Sequence, residues 1–154
     1  MRACVQRVSS ASVALPDEKN RITGKIDKGF LVLLGVGHED DEEDARWLAR
    51  KVAQLRVFDD ENGKMNLDLA KVGGSALVVS QFTLFADCVK GNRPSFVAAA
   101  PPDRADALYR LFVDELNARG IATQEGVFQA NMAVSLVNDG PVTIWIDSKD
   151  RKSA

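Results

Sequence analysis

Hydroxyl, amide and main-chain groups are the parts of this sequence best placed to do chemistry. Ser80-Gln81-Phe82-Thr83-Leu84 closes an apolar run, and Asn138-Asp139-Gly140-Pro141-Val142-Thr143 lies between two stretches of alternating apolar residues. In the first segment Ser80 and Thr83 supply hydroxyls and Gln81 an amide. Backbone N–H groups around Gln81 and Phe82, if left unpaired at a strand end, could stabilise an oxyanion. In the second segment Gly140 permits unusual backbone angles and close approach, and Pro141 fixes its own φ and allows a cis peptide bond. Taken singly, the first segment also fits an ordinary strand with polar residues facing solvent, and the second an ordinary hairpin turn.

Other catalytic machinery is disfavoured. The sole histidine, His38, lies in a charged Gly-His-Glu-Asp-Asp loop, which leaves no Ser-His-Asp triad and no His/Cys zinc set. Gly73-Gly74 lacks P-loop spacing, and no Gly-x-Gly-x-x-Gly stands between a strand and a helix. Cys4 and Cys88 form no Cys-x-x-Cys pair and read as small packed residues. The acidic turn Asp59 to Lys64 lacks the ligand spacing of a calcium loop. No metal or cofactor is expected.

The elements that must position these groups follow from periodicity. Short strands are predicted over Arg2–Val8, Ala11–Leu15, Arg21–Ile26 and Phe30–Val36, arranged as an antiparallel meander. Ala45, Leu48, Val52 and Leu55 recur at helical spacing behind an acidic start from Asp40, which suits the helix dipole. Ser75–Phe85 reads as a buried central strand with polar groups at its exit. A second helix opens at Pro101-Pro102-Asp103, carries Leu108, Leu111, Phe112 and Leu116 on one face, and closes at Gly120. Met132, Val134 and Leu136 alternate before the Gly140-Pro141 segment, and Val142, Ile144 and Ile146 after it. The tail from Ser148 to Ala154 reads as polar and frayed.

A length of 154 residues favours one domain spanning 1–154, and a net charge of −2 argues against a generic nucleic-acid binder. Two cysteines, no leader pattern and no apolar run near the roughly 20 residues that span a bilayer point to a soluble, cytoplasmic protein. The fold class expected is α+β: a mostly antiparallel, barrel-like sheet with two principal helices packed outside.

Taken together, the two segments resemble the D-aminoacyl-tRNA deacylase family, and the likeness runs along nearly the whole chain. The matching stretches are Val5-Gln6-Arg7-Val8, Leu31 to Val36, Arg56-Val57-Phe58 with Gly63 to Asn66, Ser80 to Leu84 with Ala86-Asp87, Arg93-Pro94-Ser95-Phe96, and Ser135 to Thr143. The resemblance implies a symmetric homodimer that hydrolyses the ester between a D-amino acid and the 3′-terminal ribose of tRNA, with glycyl esters as a second substrate. It implies that Gly140-Pro141 is cis and enters the partner's site, where its carbonyl oxygens exclude L-amino acids, and that Arg7 braces that turn. Ser80, Gln81, Phe82 and Thr83 would act at the ester, and Phe128 and Met132 would line a slot for the terminal adenosine. Thr83 could be a nucleophile, but no neighbouring base is evident, so assistance by the ribose 2′-hydroxyl is preferred. Lys90, Arg93, Lys149, Arg151 and Lys152 are candidates for a positive rim around the acceptor end. The alternatives are an esterase or amidase of free D-amino-acid derivatives and a non-catalytic RNA-binding module.

Overall fold

The computed structural model describes residues 1–153, apart from the Lys152 side chain. Strands β1 (Arg2–Leu15), β2 (Arg21–Ile26) and β3 (Gly29–Gly35) precede helix α1 (Glu42–Gln54). The short strands β4 (Phe58–Asp59) and β5 (Met65–Leu67) form a separate hairpin. Then come β6 (Ser75–Ser80), helix α2 (Pro102–Ala118), β7 (Ala122–Glu125) and β8 (Ala133–Asp147).

The N-terminal strands do not form a meander. Arg2–Leu15 is one long strand, and β2 and β3 both pair antiparallel with it, Ile26 opposite Ala11 and Gly29 opposite Val8, as two lengths of one interrupted run. On its other side β1 pairs with β8 from Arg2↔Asp147 to Ala14↔Ala133. Parallel ladders β3–β6 and β6–β7 complete a mixed, nearly closed six-stranded sheet. The Thr23 hydroxyl of β2 donates to the Glu125 carbonyl of β7 at 3.2 Å, drawing the two ends of the sheet together.

A bulge in β1 explains how one strand serves two cores. The β1–β8 register slips between Val8 and Ser10, so one extra residue reverses the alternation there. Ala3 and Val5 face the larger core with Phe30, Val32, Ala76, Val78 and the two helices. Val8, Ala11 and Val13 face a second core inside the barrel with Leu31, Leu77 and Val79.

Both helices form where periodicity places them. Asp41 caps α1, accepting from the Asp44 N–H at 3.0 Å while the Asp44 carboxylate accepts from the Asp41 N–H at 3.0 Å. Pro102 opens α2, and Leu108, Phe112 and Leu116 are buried against the sheet. Asp60 organises the β4–β5 turn by accepting from the Asn62 and Lys64 N–H groups, and these bonds hold its carboxyl below the usual carboxylate range.

The expected frayed tail is instead ordered over Ser148–Lys152 as a 3-10 turn; Ala154 lies outside the described residues. Ser148 is fully buried, and its hydroxyl accepts from the Met1 ammonium, which also pairs with Asp40 at 2.6 Å. Arg151 pairs with Asp44 at 3.2 Å and Glu43 at 3.3 Å. The acidic start of α1 therefore binds the C-terminal turn as well as suiting its own dipole.

Candidate active site

The apolar run of β6 ends one residue earlier than its polar groups. Ser80 is the last strand residue, and the Gln81 N–H makes a final rung to the Leu34 carbonyl at 2.8 Å. Phe82–Phe85 then turns as a 3-10 helix, where the sequence predicted continuing strand. Gly35, at the end of β3, makes this possible: a Cβ there would lie 3.0 Å from the Gln81 carbonyl and 3.1 Å from Leu84 Cβ. The side chain of Gln81 donates to Thr83 Oγ1.

The Gln81 N–H is thus spent within the sheet and is not the oxyanion donor that was expected. The Phe82 and Thr83 N–H groups, opening the 3-10 turn, donate to no acceptor among the described residues. They are the main-chain donors left at this strand end.

A cavity of about 480 Å³ opens beside the turn, lined by Ser80, Phe82, Phe96, Phe128 and Met132 together with the start of α2 at Pro102. Four residues singled out from sequence, Ser80, Phe82, Phe128 and Met132, meet here. Phe96 was matched but given no role; it packs edge-on against Phe82 with ring centroids 5.0 Å apart. Tyr109 escaped notice because it falls on the apolar face of α2. Its hydroxyl donates to the Val78 carbonyl of β6 at 2.8 Å, and its ring lies 6.5 Å from that of Phe128. Burial, with the nearby Glu125 carboxylate adding to it, pushes the Tyr109 phenol well above its ordinary pKa, so it works as a fixed donor.

The second segment is a loop within a strand, not a hairpin. In the β1–β8 ladder Gln6 faces Thr143 and Val8 faces Asn138, so the four residues Asp139 to Val142 stand opposite Arg7 alone. The Gly140–Pro141 bond is cis. Gly140 has φ 140°, and a Cβ there would lie 2.7 Å from Val142 Cγ2 and 3.0 Å from an Arg7 guanidinium nitrogen. Arg7 is buried and donates to the carbonyls of Asp139, at 3.0 Å, and Val57. Gly140 and Pro141 are exposed and are not among the residues lining the cavity.

Two of the proposed rim cations are occupied elsewhere: Arg151 on the acidic start of α1, and Lys149 on Glu39 at 3.6 Å. The Lys152 side chain lies outside the described residues. Lys90 and Arg93 are exposed and form no ion pair among the described residues; their loop closes through the Asp87↔Ser95 bridge beside Phe96. Burial raises the Cys4 thiol, as fits a packed residue, whereas Cys88 lies exposed in the loop after the 3-10 turn and is not the packed residue expected. Among the described residues no group of three or more His, Cys, Asp or Glu side chains is placed to hold a metal, and no helix is long and apolar enough to cross a membrane.

Fold and site together define an α+β protein whose barrel-like sheet ends in a hydroxyl–amide pair and unpaired main-chain donors beside an aromatic cavity. Residues 4–147 match the family model described as D-Tyr-tRNA(Tyr) deacylase, and the chain belongs to that family. It is 58% identical over 149 residues to the D-aminoacyl-tRNA deacylase of Koribacter versatilis, covering 97% of this chain and 98% of that one. It is 56% identical to the Thermus aquaticus enzyme of the same name, covering 98% of this chain and 97% of that one. The solved structure titled c-Myc DNA Unwinding Element Binding Protein superposes with a TM-score of 0.87 at 40% identity, covering 96% of this chain and 98% of that one.

Proposed function

We propose that this chain, a D-aminoacyl-tRNA deacylase by family and by full-length similarity to curated enzymes of that name, hydrolyses the aminoacyl ester at the head of β6. The observation that carries the reading is the meeting of Ser80, Phe82, Phe128 and Met132 around one cavity, beside the Gln81–Thr83 pair. Water adds to the ester carbonyl, the bond to the ribose 3′-oxygen breaks, and that oxygen takes up a proton, releasing the D-amino acid and tRNA. Phe128, Met132 and Phe96 supply apolar and aromatic walls for the terminal adenosine. The Phe82 and Thr83 N–H groups face the developing oxyanion.

Thr83 serves here to orient substrate or water. Its hydroxyl receives the Gln81 amide, a donor and not a base, so nothing adjacent would activate it as a nucleophile. The ribose 2′-hydroxyl, next to the scissile bond, activates the water instead.

Chirality is read by the Gly140–Pro141 loop, delivered into the partner subunit's cavity of a symmetric homodimer. Its support is that this loop is exposed, braced by Arg7, and absent from the cavity of its own chain. Carbonyl oxygens held there would occupy the space an L side chain needs. Glycine has no side chain to exclude, so glycyl-tRNA is the second substrate. With a net charge of −2 on the chain, recognition centres on the acceptor end, and Lys90 and Arg93, which form no ion pair among the described residues, are cations for it. The enzyme works in the cytoplasm, where aminoacyl-tRNA is made, and needs no metal.

The test is the hydrolysis rate of matched D- and L-tyrosyl-tRNA with purified protein. Loss of the D ester alone is expected; equal cleavage of both, or of neither, refutes the reading.

A further inference from the structure

Arg2 opens β1, ahead of Arg7 and the Gly140–Pro141 loop, and it reaches the turn that carries Phe82 and Thr83. In the β1–β3 ladder it stands opposite Gly35, and with no side chain there its guanidinium extends to the end of that turn. Nη1 donates to the Leu84 carbonyl at 2.8 Å. The same guanidinium lies 4.4 Å from the Phe85 ring centroid and 5.8 Å from that of Trp145. Nε donates to the Asp147 carboxylate at 3.1 Å, which fixes the side chain from the opposite side. Leu84 and Phe85 are the last two residues of the 3-10 turn, so one planar cation bonds the Leu84 carbonyl and stacks on the Phe85 ring.

We propose that Arg2 is a positioning residue for deacylation, setting the Phe82–Phe85 turn at the angle that aims the Phe82 and Thr83 N–H groups and the Gln81–Thr83 pair at the ester. This rests on the reading of that turn as the catalytic segment. The turn carries no side-chain cap at its N-terminal end; the strand rung from Gln81 and the packing of Phe85 on Gly35 and Gly37 seat it, and Arg2 is the side chain that bonds a main-chain carbonyl of the turn itself. A displacement of about 1 Å at a catalytic segment can cost on the order of 100-fold in rate. Phe128 and Met132 stand outside the turn and Phe82 is one wall among several, so substrate affinity should change less than the rate.

The experiment measures single-turnover hydrolysis of D-tyrosyl-tRNA by the parent, Arg2→Ala, Arg2→Lys and Asp147→Asn, with melting temperatures alongside. Arg2→Ala is expected to lower the maximal rate about tenfold or more while the half-saturating concentration stays within about threefold. Lysine supplies one directed donor and no planar face, so Arg2→Lys should fall between parent and alanine variant. Asp147→Asn, which keeps the bond to Leu84, should lose less than either. Free guanidinium at low millimolar concentration should restore part of the rate to Arg2→Ala and none to Thr83→Val. An Arg2→Ala enzyme with the parent's maximal rate overturns the proposal, as does a loss confined to half-saturation or one that guanidinium leaves unrescued. If Arg2→Ala does not fold, Arg2→Lys and Asp147→Asn decide by the same ordering, and parental rates in both overturn it. An inactive parent would instead refute the catalytic reading of the turn.

Discussion

Asn138 donates across the β1–β8 ladder to the Arg7 carbonyl where the ladder opens around the Gly140–Pro141 loop. The Asn138 amide donates to the Arg7 carbonyl and to the Val142 carbonyl, each at 3.0 Å, while Arg7 Nε donates to the Asp139 carbonyl at 3.0 Å. The four-residue loop Asp139 to Val142 is thus pinned at its base by Asn138 and along its flank by Arg7. A loop that must present fixed main-chain oxygens to a substrate needs this kind of support, because an unbraced one would lose discrimination to its own motion.

Replacing Arg7 with methionine keeps an apolar stem and removes the donors. The carbonyls of Asp139 and Val57 lose their partners, and a net loss of about 1–3 kcal/mol in stability is expected. The ratio of D- to L-tyrosyl-tRNA hydrolysis should fall at least tenfold, equivalent to about 1.4 kcal/mol of discrimination. Urea denaturation and paired deacylation rates measure the two effects separately. Unchanged selectivity in a folded variant would mean that Arg7 stabilises the protein without shaping the loop's function.

Gly140→Ala perturbs the same loop from within. At φ 140° the new methyl group meets Val142 Cγ2 at 2.7 Å and the Val142 nitrogen at 2.8 Å, so the backbone must shift. The expected cost is about 1–3 kcal/mol, with L-tyrosyl-tRNA becoming a measurable substrate. Gly73→Ala is the control: its φ is also positive, at 63°, but nothing lies within 4 Å of an added Cβ. That variant should lose about 1 kcal/mol and keep the parent's selectivity.

What the sequence revealed depended on how local the cause was. The Asp41–Asp44 cap, Pro102 and the apolar spacing of α1 and α2 act within a few residues, and both helices stand where they were predicted. Ser80, Phe82, Phe128 and Met132 were also legible, since the family likeness carried them and the cavity brings them together. The interrupting causes were remote. One extra residue in β1 near Ser9 shows only against β8, and the 3-10 turn after Gln81 depends on the bare backbone of Gly35. The turn chemistry of Asn138 to Pro141 fits a hairpin equally well until β1 supplies a single ladder partner for both flanks. Arg151 looked like part of a free tail because its partner, Asp44, stands at the other side of the chain.

Asp44 predicts how the C-terminal docking responds to acid. Burial alone would raise its carboxyl, but the bonds from the Asp41 N–H and the Ser148 hydroxyl, the nearby Met1 ammonium and Arg151 together hold it below the usual range. A carboxyl depressed by folding stabilises the folded state at pH above its unfolded value of about 3.9, and that contribution is lost as pH falls through the folded value. Parent protein should therefore exceed Asp44→Asn in stability at pH 7 by about 1–3 kcal/mol. The gap should narrow only below about pH 4. A gap that is the same at pH 7 and pH 3 would show that the carboxylate's charge is not what secures the turn.

The division of labour between Thr83 and the substrate can be decided with a tRNA ending in 2′-deoxyadenosine and charged with D-tyrosine on its 3′-oxygen. If the ribose hydroxyl activates water, removing it should lower the rate by about 100-fold or more, the usual range for a lost proton-transfer partner. Thr83→Val on the natural substrate should cost only about tenfold, because it removes an orienting group whose own neighbour, Gln81, is a donor. A nucleophilic Thr83 reverses the order: the valine variant would be inactive, and the deoxy substrate would be cleaved at nearly the natural rate. The deoxy substrate also separates the enzyme from an esterase of free D-amino-acid derivatives, which has no use for the 2′-hydroxyl and would cleave D-tyrosine esters of simple alcohols equally well.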